Sequence, residues 1–314
     1  MRVAAIVVTH RGGPLLQDCI DSIRAQTRPV EELLVVVSNT ELAVDAPSLQ
    51  LGENVGFARA ANAGARSTQG EVLLLNDDTR LDTQCVERLV DAWRGIGVYQ
   101  PRIQLADGSG RLDNVGLGFL PDGSVWARGR NGPDTPMQGA LGSFSGAAAL
   151  MAREAWHSLG GFDERMGSFG EDVDLSLRLH RRGVPIRPVP EALVLHHLGA
   201  SWGRASTEKL RLIERNRVRA AVRSMPMSAL LCLPVTTLVR YSILAGLAGR
   251  GRGPGAELPD GARLAALRGF IEGLGDAPTW LADRQRDRDS WTAGEWAMLK
   301  LMWHGRARWE DVAR

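Results

Sequence analysis

The sequence predicts an α/β fold in which helices flank a mostly parallel central sheet. Buried β-branched runs alternate with segments of helical periodicity along much of the chain, and this alternation is typical of βαβ units. The predicted strands are Val3–Thr9, Leu33–Val37, Val72–Leu75, Ala147–Met151 and Ala192–His197. The predicted helices are Leu15–Gln26, Phe57–Ser67, Cys85–Trp93, Arg153–Leu159 and Asp172–Arg182.

The spacing of apolar residues supports these elements in order. Val3–Thr9 is a short run of small and β-branched residues, as expected of a buried strand. The next segment places Leu16, Cys19 and Ile23 on one helical face. The last predicted helix ends at Gly183, which is followed by the helix-terminating Pro185.

Composition indicates a folded protein and gives no sign of nucleic-acid binding. The 314 residues are 44% apolar, enough for a sizeable core, and the formal net charge is only +2. Cys19, Cys85 and Cys232 form no C-x-x-C pair, so neither a zinc site nor a disulfide framework is indicated. We expect three reduced thiols, most of them buried.

The pattern changes twice along the chain. Glycines and turn dipeptides at 108–132 predict a hairpin or an irregular insert, and after about residue 205 the sequence becomes helical and rich in arginine. We therefore predict an α/β catalytic domain at 1–205 and a helical extension at 206–314.

One apolar stretch in the extension, Met227–Gly249, leaves two interpretations open. Its length suits a membrane span, but Pro234 and Arg240 within it disfavour one. It either lies in a membrane interface beside the basic helix or packs on the core. Because the N-terminus predicts a buried strand and not a signal peptide, we expect a cytoplasmic protein with peripheral contact to the inner face of the membrane as one option.

Two adjacent carboxylates follow a buried strand. Asp77 and Asp78 come directly after Asn76, and ligands of open α/β sheets bind at the carboxyl ends of strands. Paired acids repel each other unless a cation joins them, and Mg²⁺ binds through few carboxylates plus substrate phosphates. The alternative is a simple turn, since Asn-Asp-Asp-Thr is also a good turn and N-cap sequence.

A second acidic cluster opens the helix at 172. Glu171, Asp172 and Asp174 follow the glycine-rich segment Gly167–Gly170, which would let a substrate approach the backbone. A carboxylate held there could act as a general base on a hydroxyl. The alternative is that these acids only cap the helix, where the macrodipole favours negative charge.

Two further segments carry polar residues at element ends. An apolar strand ends in His196 and His197, either of which could present an imidazole to the same metal. Gly52–Gly64 predicts a loop opening a helix whose first turn could meet phosphate or base. It lacks G-x-G-x-x-G spacing, so a dinucleotide site of the Rossmann type is not indicated.

Taken in order, these segments resemble the inverting family-two glycosyltransferases of the GT-A fold, especially the bacterial rhamnosyltransferase-like branch. The resemblance covers about residues 2–201. The matching segments are Ile6–Thr9, Leu34–Val37 with Asn39, Glu53–Phe57, Leu73–Asp78, Gly160–Glu164, Gly170–Leu175 and His196–His197.

The resemblance implies a role for each matched residue. The donor nucleotide pocket would comprise Thr9, Asn39, Asn54, Gly56, Arg59, Asn62, Asn76 and Asp77. Asp78 and His196 would hold Mg²⁺ or Mn²⁺ on the donor diphosphate, and Asp172 would deprotonate the acceptor. Glu171 and Trp202 would lie on the acceptor side.

The resemblance also implies substrates. The donor would be a dTDP- or UDP-linked sugar, with rhamnose the first expectation, and the acceptor a glycan or a lipid-linked glycan in cell-envelope synthesis. A single displacement would invert the anomeric centre through an oxocarbenium-like transition state.

Departures from the family pattern keep two other functions open. Ser38 stands where the family usually has an aspartate that reads the nucleobase or ribose, and His10-Arg11 replaces the commoner Tyr-Asn. These departures favour an inactive sugar- or nucleotide-binding module of the same fold. Arg11-Gly-Gly is a faint match to the phosphate loop of a nucleotidyltransferase.

Overall fold

A computed structural model describes residues 1–39, 41–134, 139–197, 206–249 and 258–307. The strands are β1 Val3–Thr9, β2 Glu32–Val37, β3 Ser48–Gln50, β4 Glu71–Asn76, β5 Thr79–Leu81, β6 Val98–Leu105, β7 Leu112–Asn114, β8 Leu117–Phe119, β9 Val125–Ala127, β10 Ala148–Met151 and β11 Ile186–His196. The helices are α1 Pro14–Arg24, α2 Phe57–Arg66, α3 Cys85–Asp91, α4 Arg153–Ser158, α5 Glu171–Arg181, α6 Thr207–Ser224, α7 Met227–Leu231, α8 Leu233–Ala248, α9 Ala262–Gly275, α10 Ala277–Asp287 and α11 Glu295–His304.

One mixed sheet organises the molecule. Its strand order is β3-β2-β1-β4-β10-β6-β11-β5, with β7 beside β6. The strands from β3 to β4 pair in parallel, as do β6 and β11, whereas β10 runs antiparallel to β4 and β6. The predicted α/β fold is confirmed, with antiparallel pairing added in the second half of the sheet.

The inverted direction of β10 matters for the position of the site. Because β10 is antiparallel to its neighbours, its first residues lie at the same edge as the last residues of β1, β4, β6 and β11. The backbone N–H of Asn76 donates to the Ala147 carbonyl across this edge at 2.9 Å. Residues far apart in sequence therefore meet where ligands of α/β sheets bind.

Two of the longer strands differ from the sequence prediction, and the three-residue strands β3 and β5 were not predicted. The central strand β6 was not predicted, because Pro101 within it lacks a backbone donor. The side chain of Gln100 takes part of the pairing instead, accepting from Ser145 N–H at 2.7 Å and donating to the Ala148 carbonyl at 3.3 Å. Strand β11 begins at Ile186 instead of Ala192, and its register shifts between Val189 and Leu193.

Helices cover both faces of the sheet. Buried residues of α1 and α3 pack on one face, and buried residues of α2, α4 and α5 pack on the other. The hairpin formed by β8 and β9 lies in the predicted insert at 108–132. Cys19 and Cys85 are buried, whereas Cys232 is exposed.

The helices after residue 206 form a further layer. Val173 and Leu177 on the outer side of α5 share a core with Val218 of α6 and Trp280 of α10. Trp280 also lies under the Arg165 guanidinium, 4.3 Å from its ring centroid. The extension is thus packed on the helix that carries Asp172.

The apolar stretch 227–249 forms two helices, α7 and α8, separated at Cys232, with Pro234 in the first turn of α8. Among the residues described, no helix is long and apolar enough to cross a membrane. Leu233 and Thr237 are the buried residues of these helices, whereas Leu231, Val235 and Leu238 are largely exposed. The stretch therefore packs on the core along one side only.

A buried ion network fixes α8. Arg240 of α8 donates to Asp122 at 2.5 Å and to Glu214 of α6 at 2.7 Å. Arg217 donates to the same Glu214 and to the Asp122 carbonyl. The two acids and two arginines balance in charge, as a buried network requires.

Replacing Arg240 with Leu should destabilise the fold by roughly 3 kcal/mol, the lower end of the range for breaking a buried ion pair. We expect the lower value because Arg217 still faces Asp122 and Glu214 after the substitution. The measurement is the free energy of unfolding in urea. Arg268→Leu is the control, since Arg268 pairs with Glu272 on the exposed surface of α9 and should cost less than about 1 kcal/mol. Equal losses in the two variants would contradict the assignment of this network.

Candidate active site

The ends of β1 and β4 meet through a hydroxyl–carboxylate contact. Thr9, the last residue of β1, donates its Oγ1–H to Asp77 at 2.5 Å and accepts from Gly12 N–H at 3.0 Å. Burial raises the pKa of Asp77, and the neighbouring charge of Asp78 adds to that rise. Asp77 lines a large cavity, so the sequence-predicted pair Thr9 and Asp77 lies together at its wall.

Asp78 turns away from Asp77 towards the end of β11. Its Oδ1 lies 3.2 Å from His196 Nε2, and its carbonyl accepts from His197 N–H at 2.9 Å. The Asp78 Oδ1 atom is buried and has no well-directed hydrogen bond within the described structure. The predicted neighbours Asp78 and His196 are therefore brought together.

His196 lies between two carboxylates. Its Nδ1 is 2.8 Å from Asp113 Oδ2, and its Nε2 faces Asp78. Burial by itself lowers the pKa of His196, but hydrogen bonding and charge from Asp113 and Asp78 outweigh it and raise the pKa to about 9. His197 is exposed, so His196 is the histidine that joins the acidic cluster.

Three residues of this cluster were missed from the sequence. Asp113 comes from the insert at 108–132, where short irregular strands gave no signal of a functional acid. Arg130 Nη1 stands 4.0 Å from Asp113, and Lys209 Nζ lies 5.3 Å from the Phe169 ring. Burial lowers the pKa of Lys209, and the positive charge of Arg130 lowers it further. The negative charges of Asp113 and Asp78 act in the opposite direction. Two cations thus lie beside the carboxylates.

Asp172 sits in the first turn of α5 and is held by two amides. Its Oδ2 accepts from Gly146 N–H at 3.0 Å, and its Oδ1 accepts from Val173 N–H at 2.8 Å. Burial raises the pKa of the Asp172 carboxyl. Since Gly146 directly precedes Ala147, which pairs with Asn76, the hydrogen bonds run from Asp172 to the end of β4.

Glu171 is the less accessible member of the pair. Burial raises its pKa well above the usual value, and the charge of Asp172 raises it further. Its Oε2 is buried without a hydrogen bond within the described residues. Both side chains line the cavity, but only Asp172 has its carboxylate fixed by backbone donors.

The segment Gly167–Gly170 is clamped before α5 begins. On one side, Gly167 O accepts from Ala58 N–H at 2.9 Å at the start of α2. On the other, the Asn216 side-chain amide of α6 donates to the carbonyls of Met166 at 2.9 Å and Phe169 at 2.5 Å. Phe169 has a φ of 68°, an unfavourable conformation for a bulky residue, so these contacts hold strained backbone next to Asp172.

The remaining predicted donor residues divide into two groups. Asn54, Gly56 and Asn76 line the cavity, together with Ser38 and His10. Ser38 Oγ accepts from Val55 N–H at 3.1 Å, so the residue that replaces the family aspartate holds the following loop. Asn39 lies beside it and donates to the His10 carbonyl at 2.8 Å.

Arg59 and Asn62 lie elsewhere, as their contacts show. Arg59 is an exposed residue that faces Glu164 at 3.8 Å. The buried Asn62 amide bonds both the N–H and the carbonyl of Phe162, at 3.0 and 2.9 Å. Neither residue is among those lining the cavity. Trp202 lies outside the described residues.

The cavity has a volume of about 1420 Å³, and both acidic clusters border it. Asp77 and Asn76 lie in its wall with Asp172 and Glu171, while Asp78 and His196 are buried and are not among the lining residues. An accessible carboxylate with a raised pKa, next to buried acids and cations, is an arrangement typical of a catalytic site.

Solved structures identify the class of fold. The chain matches Staphylococcus aureus TarS with a TM-score of 0.55 at 12% identity, over 92% of this chain and 55% of that one. It matches GalNAc-T7, solved with UDP, GalNAc and Mn²⁺, with a TM-score of 0.53 at 16% identity, over 71% of this chain and 48% of that one. The chain thus spans about half of each of these proteins. The predicted GT-A glycosyltransferase fold is confirmed.

The chain belongs to glycosyl transferase family group 2, whose model matches residues 71–246. It is 30% identical over 236 residues to an N-acetylglucosaminyl-diphospho-decaprenol L-rhamnosyltransferase of Mycobacterium tuberculosis, covering 63% of this chain and 77% of that protein. It is also 30% identical over 221 residues to the O-antigen biosynthesis protein RfbC of Myxococcus xanthus, covering 63% of this chain and 17% of that protein. The predicted glycosyltransferase is confirmed, and the nucleotidyltransferase alternative loses its support.

Replacing Asn216 with Ala should loosen the segment before α5, because the carbonyls of Ser168 and Phe169 lose this side-chain donor and that of Met166 keeps only Arg215. We expect faster amide hydrogen exchange at residues 166–170 and lower turnover. Exchange of β1 and β4 amides in the same sample is the internal control. Uniformly faster exchange in those strands would indicate global destabilisation and contradict a local clamp.

Proposed function

We propose that the protein transfers a sugar, rhamnose in the first instance, from a dTDP- or UDP-linked donor to a hydroxyl of a lipid-linked glycan, with inversion. One observation carries the proposal: the carboxylate of Asp172 borders the same cavity as the end of β4, which bears the acidic pair. The names of the M. tuberculosis and M. xanthus relatives support rhamnosyl transfer in envelope glycan synthesis.

The residues beside Asp78 fit a divalent cation. Asp78 Oδ1 is a buried oxygen without a directed partner, and His196 Nε2 lies 3.2 Å from it. A bound cation would take the place of the His196 Nε2 proton, because metal ligation needs the neutral imidazole. Neighbouring ligands of an octahedral Mg²⁺ site stand about 3 Å apart, given metal–ligand distances near 2.1 Å. Asp113 would hold His196 from behind, as second carboxylates do for metal-bound histidines.

The protein would supply only part of that coordination. Within the described residues no cluster of three or more histidine, cysteine or acidic side chains is arranged for a metal. Mg²⁺ or Mn²⁺ held by Asp78 and His196 would take its other ligands from the donor diphosphate and water. When bound, it would neutralise charge that develops on the leaving nucleoside diphosphate.

Donor binding would use the polar wall at the ends of β1 and β4. Thr9 orients Asp77, and Asn54 and Gly56 line the same wall, so they are our candidates for nucleotide contacts together with Asn39 and Asn76. Lys209 and Arg130 lie near the carboxylates and would complement the negative diphosphate. Contacts of Arg59 and Asn62 favour structural roles for these two residues.

Asp172 would activate the acceptor. Its carboxylate takes the proton of the acceptor hydroxyl while that oxygen attacks the anomeric carbon from the face opposite the diphosphate. The bond from the anomeric carbon to the phosphate oxygen breaks, and its electron pair leaves with the nucleoside diphosphate. The raised pKa of Asp172 makes its carboxylate a stronger base than an exposed aspartate. Glu171, next to it in the wall, would contact the acceptor side.

The place of action follows from the acceptor. A lipid-linked substrate requires the enzyme to work at a membrane surface. We therefore propose a cytoplasmic protein that binds the inner face of the membrane peripherally, through the exposed apolar side chains of α7 and α8.

Replacing Asp172 with Asn should reduce transfer at least about 100-fold, because the amide cannot accept the proton. Donor binding should remain near the wild-type level, since the base acts on the acceptor. Transfer is measured as release of nucleoside diphosphate with acceptor present, and donor binding by calorimetry. Asp18→Asn on the exposed face of α1 is the control. Substantial residual transfer in the Asp172 variant would overturn its role as base.

Replacing Asp78 with Ala should weaken donor binding in the presence of Mn²⁺ by at least about tenfold, because one metal ligand is lost. Binding measured in EDTA should change little. Asp91→Ala, at the exposed end of α3, is the matched control. If Mn²⁺ strengthens donor binding equally in wild type and the Asp78 variant, the proposed metal ligand is wrong.

A further inference from the structure

The cavity that contains Asp172 extends well beyond it. Its volume of about 1420 Å³ exceeds the roughly 300–1,000 Å³ typical of a pocket for one small ligand. Beyond the polar wall, residues of α6, α8 and α9 line the cavity. Six of the apolar residues that line this part are Leu210, Leu238, Leu244, Ala248, Leu267 and Phe270. We call this part the apolar groove.

The two arginines beside the apolar groove are paired with acids and are not free to bind a charged ligand there. Arg217 and Arg240 line the cavity, but their guanidinium groups are committed to Asp122 and Glu214. The network is balanced in charge, so it leaves the adjoining walls without a net field to attract an ion. The walls beside this network therefore suit the hydrocarbon part of a ligand, and a charged group of that ligand would need hydrogen-bond donors from elsewhere in the cavity wall.

Two hydroxyl groups on α8 lie in the cavity wall without a partner. Thr237 Oγ1 and Tyr241 Oη are buried and make no hydrogen bond within the described residues, and Thr237 is only 6% exposed. The two residues are four apart, so they share one face of α8. Burial raises the pKa of Tyr241 to about 12, with the charge of Glu214 adding to it, and the phenol stays protonated. Both groups can donate to oxygens of a bound molecule.

The mouth of the apolar groove is apolar as well. Leu238, Val239 and Ile243 of α8 and Leu267 of α9 line the cavity and are 40–67% exposed. Exposed clusters of this kind mark binding or membrane surfaces. Arg263 stands among them at the rim, where anionic lipid headgroups would favour a cation.

We propose that the apolar groove holds the hydrocarbon chain of the lipid-linked acceptor, with its linking phosphate beside Thr237 and Tyr241 and its sugar hydroxyl at Asp172. The inference rests on the proposed function and deepens it. It is supported by the shape of the cavity, because one continuous cavity contains the Asp172 carboxylate, the apolar walls and the apolar mouth. A ligand that fills it must be polar at one end and a long hydrocarbon at the other.

The test is a substitution that adds a bulky side chain to the apolar groove and leaves the residues of the polar wall unchanged. Ala245 lines the groove and is exposed on α8, so Ala245→Trp adds bulk there at little cost to folding. Ala282→Trp is the matched control, since Ala282 is exposed on α10 and is not among the cavity-lining residues. Transfer is measured on two acceptors that carry the same sugar diphosphate, one on a long polyprenyl chain and one on a short alkyl chain.

We expect Ala245→Trp to raise KM for the polyprenyl acceptor at least about tenfold, while transfer to the short-chain acceptor and all rates of Ala282→Trp stay near wild type. Wild type should also bind long-chain polyprenyl phosphate in detergent more tightly than Ala245→Trp does. Equal binding by both would overturn the proposal and assign the groove to a membrane surface or a protein. If wild type uses the two acceptors equally well, the groove proposal fails while the proposed function stands. If it transfers to neither, the proposed function fails.

Discussion

The hydrogen bonds that link Asp172 to the end of β4 are the constraint on which the site depends. Asp172 accepts from Gly146 N–H, and the next residue, Ala147, accepts from Asn76 N–H. These contacts require β10 to run antiparallel to β4, because only then does its first residue reach the edge that carries the acidic pair. The mixed sheet is therefore what brings Asp172, the proposed base, from α5 to the end of a strand almost a hundred residues earlier in sequence.

The helical extension completes this arrangement. Asn216 of α6 holds the carbonyls of the strained segment before α5, and Lys209 of the same helix lies near Asp78 and Asp113. Burial of Val173 and Leu177 against Val218 contributes apolar stabilisation to the same contact. The α6 helix thus contacts the residues around Asp172 and also lines the apolar groove, which would link the proposed catalysis to the proposed acceptor binding.

The GT-A fold and family group 2 membership agree with the chemistry that the cluster supports. The enzyme class follows from these matches, while the sugar, the metal and the roles of single residues follow from the geometry as proposals. The replacement of the usual aspartate by Ser38 does not empty that position, because the serine hydroxyl fixes the Val55 amide. In the proposed function, recognition of the nucleotide is therefore left to the other wall residues.

The sequence by itself determined the α/β class, the helices α1 to α5, the strands β1, β2, β4 and β10, and the acidic and histidine-bearing ends, because periodicity and turn chemistry are local properties. It did not predict β6, since Pro101 argues against a central strand and only the side chain of Gln100, bonding to β10, compensates. It gave no signal for Asp113, Lys209 or Asn216, whose roles arise from neighbours distant in the chain. Tertiary structure also separated Arg59 and Asn62 from the other predicted donor residues, because a motif fixes which residues are close in sequence but not which way each side chain points.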